Sequence, residues 1–253
     1  FADRFLALAG VAMMAILPWH IQFSRMASEV NVGLFWLTLG VVLWSAGWRR
    51  GHILAVVSWG LASYTYLAFR LVAPLLGLGL AWRARRWWVV GAMIGLLIVG
   101  LGRGHVRMKG TSVLETEDAY AVFKQTEREM FDDAKLGINL TRRLFHDRRW
   151  LPTLVIIAKG YLSHFSPAFL FFDYEEKQHQ TPFVGLNYLW MLPLIVVGQY
   201  YMAVKRYSRG ARVILWWLVL APLPAAVTRG VPHAGRTLAM TVPLMVMAAF
   251  GWR

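Results

Sequence analysis

Residues 18–29 read PWHIQFSRMASE and connect two strongly apolar runs, at roughly 5–18 and 31–48. Two apolar runs joined by a short polar connector are typical of consecutive membrane helices, each of which needs about 20 mostly apolar residues. The connector closes on Glu29, and outside residues 104–185 the chain has only one other acidic residue, Asp3. A carboxylate beside apolar spans is costly unless it is paired or hydrated, so Glu29 is a candidate functional residue.

The composition of the 253 residues extends this interpretation to the whole chain. It is 58% hydrophobic and 16% charged, whereas about 25% of the residues of a soluble domain are charged. The net charge of +14 would suggest nucleic-acid binding in a soluble protein. However, residues 104–185 hold eleven basic and eleven acidic residues, and the other sixteen basic residues flank apolar runs, as membrane topology and anionic headgroups favour. We therefore expect an all-α integral membrane protein that binds no nucleic acid.

The apolar runs and the basic clusters together predict eight transmembrane helices. The runs lie at about 5–18, 31–48, 53–68, 71–82, 87–103, 186–204, 213–227 and 237–252. With eight spans, the basic clusters at 49–50, 83–86, 205–212 and 253 all fall on one face, which the positive-inside rule makes cytoplasmic. The chain then divides into five helices in residues 1–103, an extracytoplasmic region with amphipathic or interfacial helices in residues 104–185, and three helices in residues 186–253.

The candidate site residues all lie on the opposite, extracytoplasmic face, where the positive-inside rule disfavours cations unless they have a function. They are His20, Arg25 and Glu29; Tyr64, Tyr66 and Arg70; His164 and His179; and Arg229, His233 and Arg236. The loop at 228–236 (TRGVPHAGR) holds three of them and no acid, and Arg forks match phosphate oxygens, so we expect it to bind a phosphate. A lipid-phosphate substrate would suit the set, with Glu29 to deprotonate an acceptor hydroxyl.

Several of these groups also have a purely structural interpretation. If Arg25 and Glu29 share a helix, their i,i+4 spacing allows a salt bridge that caps the following span. The same spacing also suits a carboxylate base or metal ligand beside a phosphate-binding Arg. The paired Tyr64 and Tyr66 are typical of an interfacial aromatic belt, and a single loop His is more often structural than catalytic. The residues alone leave these alternatives open.

Five segments, in order along the chain, resemble the motifs of one family. They are PWHIQFSR followed by Glu within 18–29, SYTY…R…PLL at 63–76, YLSHFSPAFLFF at 161–172, GLNYLWMLP at 185–193 and TRGVPHAGR at 228–236. They resemble segments of bacterial membrane glycosyltransferases of the GT-C superfamily, which are related to the dolichyl-phosphate-mannose–protein mannosyltransferases and the lipid A aminoarabinose transferase. The similarity covers most of the chain.

The resemblance implies a multi-spanning helical enzyme of the bacterial cell membrane. Such an enzyme moves a sugar from a polyprenyl-phosphate donor to a glycan, lipid or protein acceptor on the extracytoplasmic face. Glu29 stands about where the family has the second of two loop acids, and it is the catalytic candidate. The other ten candidate residues are assigned to substrate binding and none to a metal, while the need for a divalent cation stays open.

The chain also departs from the family pattern. After the LFF run the family often has Gly-Asp-x-x-x-Arg-His, of which residues 173–179 keep the His and lack the Arg; Gly230 and Met191 replace an expected Asp and Glu. We expect the chain to be an internal fragment, inactive alone, whose first family acid would precede Phe1. The alternative function is a transporter or flippase of lipid-linked saccharides, although no paired repeats or broken helices are evident. A non-catalytic scaffold, the third option, gives no reason for the acid-free loop at 228–236.

Overall fold

A computed structural model describes residues 4–109, 112–138, 150–172, 185–204 and 209–252. Regular structure in these residues is helical, apart from a single isolated bridge between Ser112 and Thr228. The predicted all-α fold is therefore confirmed. The α-helices are α1 (Arg4–Ile16), α2 (Pro18–Arg25), α3 (Glu29–Ser45), α4 (Arg49–Thr65), α5 (Phe69–Arg83), α6 (Trp87–Lys109), α7 (Glu117–Leu136), α8 (Trp150–Ser163), α9 (Met191–Val204), α10 (Arg209–Leu220), α11 (Leu223–Ala226) and α12 (Thr241–Gly251).

Each of the eight apolar runs contains a helix, but the helices are shorter than some of the runs. The run at 186–204 is helical only from Met191, and the run at 213–227 breaks between α10 and α11. Among the described residues, no single helix combines the length and the apolar composition needed to cross a membrane. Helices α1 and α2 meet that requirement only as a pair, and the pair is bent by 58°.

The connector at residues 18–29 forms a second helix instead of the loop expected from the sequence. Pro18 opens α2, at a position where its missing N–H has no helical partner to lose and its fixed φ suits the helix. Helix α2 ends at Arg25, and Ala27 then adopts a φ of +48°, in the left-handed region that crowds a side chain. Because α3 begins at Glu29, Arg25 and Glu29 belong to different helices. The i,i+4 relation considered for this pair is therefore wrong.

Helices α3 to α6 are antiparallel neighbours, because only three residues join each consecutive pair, at 46–48, 66–68 and 84–86. The bundle consequently has two ends. We call the end formed by α2, residues 26–28, residues 66–68 and residues 228–237 the site end. The opposite end, formed by residues 46–50 and 83–87, is called the arginine end.

Helices α9 and α12 approach each other backbone to backbone. A Cβ added at Gly198 would collide with the Met247 carbonyl, and one at Gly251 would collide with the Leu194 carbonyl. Small residues at a crossing allow this close packing. Helix α1 packs on α12 as well, so the first described helix closes against the last.

The region at 104–185 contains the helices expected there. Helix α7 is capped at its start by the Thr116 side chain and ends at Gly137 in the left-handed conformation. Helix α8 is followed by a π-helix at Ala168–Phe172. The Val113 N–H donates to the Val227 carbonyl at 3.1 Å, which ties the start of this region to the loop at the site end.

Candidate functional site

At the site end, hydrogen bonds join segments that lie far apart in the chain. The Trp19 backbone N–H donates to the Leu186 carbonyl at 3.0 Å, and its indole N–H donates to the Ala234 carbonyl at 3.2 Å. Asn187 donates to the Leu170 carbonyl twice, from its backbone N–H at 2.9 Å and its Nδ2 at 3.1 Å. Four segments are thus held together: α2, the segment 161–172, residues 186–187 and the loop at 228–237.

His164 lies at the centre of this unit and is completely buried. Its Nδ1 lies 2.8 Å from the Gly160 carbonyl, and its Nε2 accepts the His233 backbone N–H at 3.2 Å. A carbonyl can only accept and an amide can only donate, so the ring is neutral with its proton on Nδ1. Burial lowers the pKa of His164 to about 4, against the opposing effect of hydrogen bonds to the Gly160 and Tyr161 backbone. Both ring nitrogens are engaged within the protein, which leaves neither for the predicted contact with substrate.

Arg236 is the half-buried cation of the loop at 228–237. Its Nη1 donates to the Thr228 Oγ1 at 2.8 Å and to the Arg229 carbonyl at 2.7 Å, and its backbone N–H donates to the His233 Nδ1 at 3.3 Å. Both acceptors of Nη1 are neutral oxygens, so neither of these hydrogen bonds pairs the guanidinium with a negative charge. Burial lowers the pKa of Arg236, with a further lowering from Arg229 and an opposing effect of Tyr66. The guanidinium still carries its charge at neutral pH, as arginine does throughout proteins.

Glu29, at the start of α3, and Tyr66, between α4 and α5, complete the site. Glu29 is exposed in the first turn of α3, where the helix dipole favours a negative charge. Tyr66 is half-buried, packs edge-on against Phe69 with ring centroids 6.0 Å apart, and interacts electrostatically with both Arg236 and Glu29. The phenol of Tyr66 thus lies within electrostatic range of both a carboxylate and a guanidinium, which come from two other elements.

The remaining predicted residues lie around this centre. Tyr64 is 77% exposed although Tyr66 is half-buried, so the two tyrosines do not act as a pair. Arg25 and Arg229 are exposed; the half-buried His20 forms a hydrogen bond with the Met14 backbone, and the half-buried Arg70 has its Cβ close to Gly100 of α6. His179 lies outside the described residues.

A groove of about 920 Å³ lies beside the loop, between α7 and α8. Its α7 side is mainly polar and its α8 side mainly apolar. The lining includes Gln125, Thr126 and Glu129 from α7, and Pro152, Val155, Ile156 and Lys159 from α8. Gly230 and Val231 also line it, so the loop that carries Arg236 forms part of the groove wall.

Two residues that the sequence did not single out hold the site together. Trp19 is buried and packs edge-on against Phe169, with ring centroids 6.0 Å apart. A buried Trp usually needs a hydrogen-bond acceptor for its indole N–H, and this need was the only indication in the sequence that Trp19 has a structural role. Asn187 is buried too, and its Oδ1 has no hydrogen-bond partner within the described part of the chain. Nothing in the sequence pointed to Asn187.

The described residues contain no group of three or more His, Asp or Glu side chains that could hold a metal ion.

No protein-family model, no curated protein and no solved structure matches this chain.

Proposed function

We propose that this chain belongs to an integral membrane glycosyltransferase, which moves a sugar from a polyprenyl-phosphate donor to an acceptor on the extracytoplasmic face. One observation carries the proposal. Tyr66 interacts electrostatically with both Glu29 and Arg236, and Arg236, whose Nη1 donates only to neutral oxygens of the described residues, lies on a loop braced by Trp19 and His164. The resemblance of five motifs to GT-C enzymes supports the same function, since four of these residues (Trp19, Tyr66, His164 and Arg236) fall within those motifs and Glu29 follows the first.

The membrane location is supported by apolar side chains that are more than half exposed on many helices. Large apolar side chains exposed on this many helices would suit a surface in contact with lipid. Examples are Leu8 on α1, Phe35 on α3, Val57 on α4, Ile98 on α6 and Val196 on α9. In this proposal the eight apolar helices are embedded, and the arginine end faces the cytoplasm in accord with the positive-inside rule.

In the proposed reaction, Arg236 holds the donor phosphate and Glu29 acts as the base. The hydroxyl oxygen of the acceptor attacks the anomeric carbon of the donor sugar, and Glu29 accepts the proton of that hydroxyl. The bond between that carbon and the phosphate oxygen breaks, and the polyprenyl phosphate leaves with the electron pair. The guanidinium of Arg236 stabilises the charge that develops on this phosphate, because charge-assisted hydrogen bonds are strongest to an ionised oxygen.

We place the acceptor in the groove between α7 and α8. A concave surface with mixed apolar and polar lining is the usual form of a ligand site. Gly230 and Val231 line the groove on the same loop that carries Arg236, so an acceptor held there would lie beside the donor phosphate. The identities of the sugar and the acceptor are left to experiment.

The substitution Glu29→Gln tests the proposal. In membranes that contain the intact protein, it should reduce transfer of labelled sugar from a polyprenyl-phosphate donor by more than about 100-fold, because the base is lost. Recovery of the protein in the membrane fraction should not change. The matched control is Glu117→Gln, an exposed acid at the start of α7, which should transfer normally. Full activity in Glu29→Gln would remove Glu29 from the mechanism, and donor movement across the bilayer without transfer would favour a flippase.

A further inference from the structure

The buried ring of His164 begins a chain of hydrogen bonds that ends at the guanidinium of Arg236. Helix α8 supplies the first link, because the Gly160 carbonyl accepts the proton on the His164 Nδ1. The His164 Nε2 then accepts the His233 backbone N–H, and the His233 Nδ1 accepts the backbone N–H of Arg236. Each link has one feasible direction, so the neutral Nδ1–H form of His164 is required for the chain to exist.

The loop that carries Arg236 is held at two adjacent residues by two different elements. His164, directly after α8, accepts the backbone N–H of His233, and Trp19 of α2 donates to the carbonyl of Ala234. Phe169 packs edge-on against both rings, with centroid distances of 5.4 Å to His164 and 6.0 Å to Trp19. These two anchors fix the backbone immediately before Arg236.

A role for His164 as a direct ligand does not fit this arrangement. The ring is completely buried, and a ligand could reach a nitrogen only by replacing the Gly160 or His233 contact. Arg236 is different, since its guanidinium has five N–H donors and its Nη1 alone makes the two bonds to Thr228 and Arg229. The chain of hydrogen bonds thus links His164, which cannot contact a ligand, to Arg236, which can.

We propose that His164 is a positioning residue, which acts through the His233 amide to hold the loop at 228–236 in the shape that presents Arg236 to a phosphate-bearing ligand. This inference rests on the proposed function for the identity of the ligand. The coupling between His164 and the loop is independent of the proposed function. The interaction that matters is the one from Nε2 to His233, whereas the one from Nδ1 to Gly160 only orients the ring.

Two substitutions separate these interactions. His164→Gln places an acceptor near the position of Nε2 and can keep the bond to the His233 amide. His164→Asn places a polar group near the position of Nδ1 and can keep the bond to Gly160 only. Both leave a smaller polar side chain in the same buried site, so their cost to folding should be similar.

The probe is farnesyl phosphate, titrated calorimetrically into the purified full chain in detergent. We expect His164→Asn to weaken binding roughly tenfold and His164→Gln to stay within about twofold of the unsubstituted protein. Equal losses in both variants would show a structural role only and would overturn the proposal. If neither variant folds, His233→Ala breaks the next link, and unchanged farnesyl phosphate affinity in that variant would overturn it equally.

Amide hydrogen exchange over residues 228–237 separates failure of this inference from failure of the proposed function. Protection of the loop should fall in His164→Asn and persist in His164→Gln, whether or not any phosphate binds. If the unsubstituted protein does not bind farnesyl phosphate while exchange changes as expected, the positioning role stands and the donor assignment fails. If exchange is the same in both variants, the positioning role fails independently of the function.

Discussion

The two ends of the bundle are stabilised by different kinds of contact. At the arginine end the backbone hydrogen bonds are local, such as the one from Arg86 N–H to the Ala81 carbonyl at 2.9 Å. Aromatic contacts add to them, with Trp82 and Trp87 at a centroid distance of 5.2 Å. At the site end, the bond from Trp19 to Ala234 joins residues 215 positions apart, and the bond from His233 to His164 joins residues 69 positions apart.

This difference follows from the side chains that each end holds in place. The arginines at 49–50, 83 and 85–86 are exposed, and they need only a short turn to reach solvent or lipid headgroups. The site end must hold polar groups from four segments at one place, partly out of water, where an unpaired polar group is costly. Long-range hydrogen bonds are therefore concentrated at the end where the chemistry is proposed.

The sharpest test of this contrast substitutes one arginine at each end. Arg236→Gln should reduce sugar transfer about 10³-fold, or about 4 kcal/mol in activation free energy, because the phosphate loses its cation and the loop loses two hydrogen bonds. Arg83→Gln, at the arginine end, should leave transfer unchanged. Both are measured as initial rates with a polyprenyl-phosphate sugar in membranes. Equal rates for the two variants would mean that the site end has no special role.

Acidification should weaken the site end through His164. The folded protein holds the pKa of this ring at about 4, below the value of about 6.5 for an unfolded His. The contribution of the neutral ring to stability is therefore complete above pH 6.5 and is lost as the pH falls towards 4, by at most about 3 kcal/mol. Thermal unfolding of the native protein and of His164→Gln between pH 7 and pH 4 should show the gap between them narrowing. A gap that does not change with pH would contradict the assignment.

A close backbone contact gives the next test. A Cβ at Gly185 would collide with the Phe171 carbonyl, whereas one at Gly95 on α6 has open space around it. Gly185→Ala should reduce the free energy of unfolding by about 2 kcal/mol, since the π-helix at Ala168–Phe172 must shift. Gly95→Ala should be neutral or stabilising by up to about 1 kcal/mol. Denaturation in detergent measures both, and similar changes would show that the site end tolerates rearrangement.

The smallest expected effect concerns two tryptophans. Trp19→Phe removes the indole donor and leaves the Ala234 carbonyl without that partner, at a cost of about 1–2 kcal/mol. Trp82→Phe at the arginine end alters an exposed ring and should cost less than about 0.5 kcal/mol. Thermal midpoints of the two variants provide the measurement. A larger loss in Trp82→Phe would reverse the order of the two ends.

Much of the helical architecture could be predicted, because apolar runs and charged segments determine where helices begin and end. The runs at 31–48 and 71–82 correspond to α3 and α5. Helix α2 could not be recognised in this way. Its eight residues are too few for a periodic signal, and its polar side chains resemble those of a loop.

The site could be predicted as a set of segments but not as a geometry. Charge placement indicated that the loop at 228–236 lies on the same side as Glu29. However, it could not show that His164 is buried with both ring nitrogens engaged, or that Tyr64 and Tyr66 differ in exposure. Those properties depend on tertiary neighbours such as Gly160 and Phe69, which have no sequence signature.

The hydrogen bond between Trp19 and Ala234 also has a consequence for the order in which the molecule assembles. Its two partners are separated by 215 positions, so Trp19 cannot form this bond until the intervening helices have been synthesised. Contacts of such sequence separation form late because closing a long loop costs chain entropy. Helices with local partners can therefore fold during biosynthesis, whereas the loop at 228–236 takes its shape only once the residues after α11 have been made. If the proposed function holds, a nascent chain would keep its site residues unassembled, and so would not bind its substrate early.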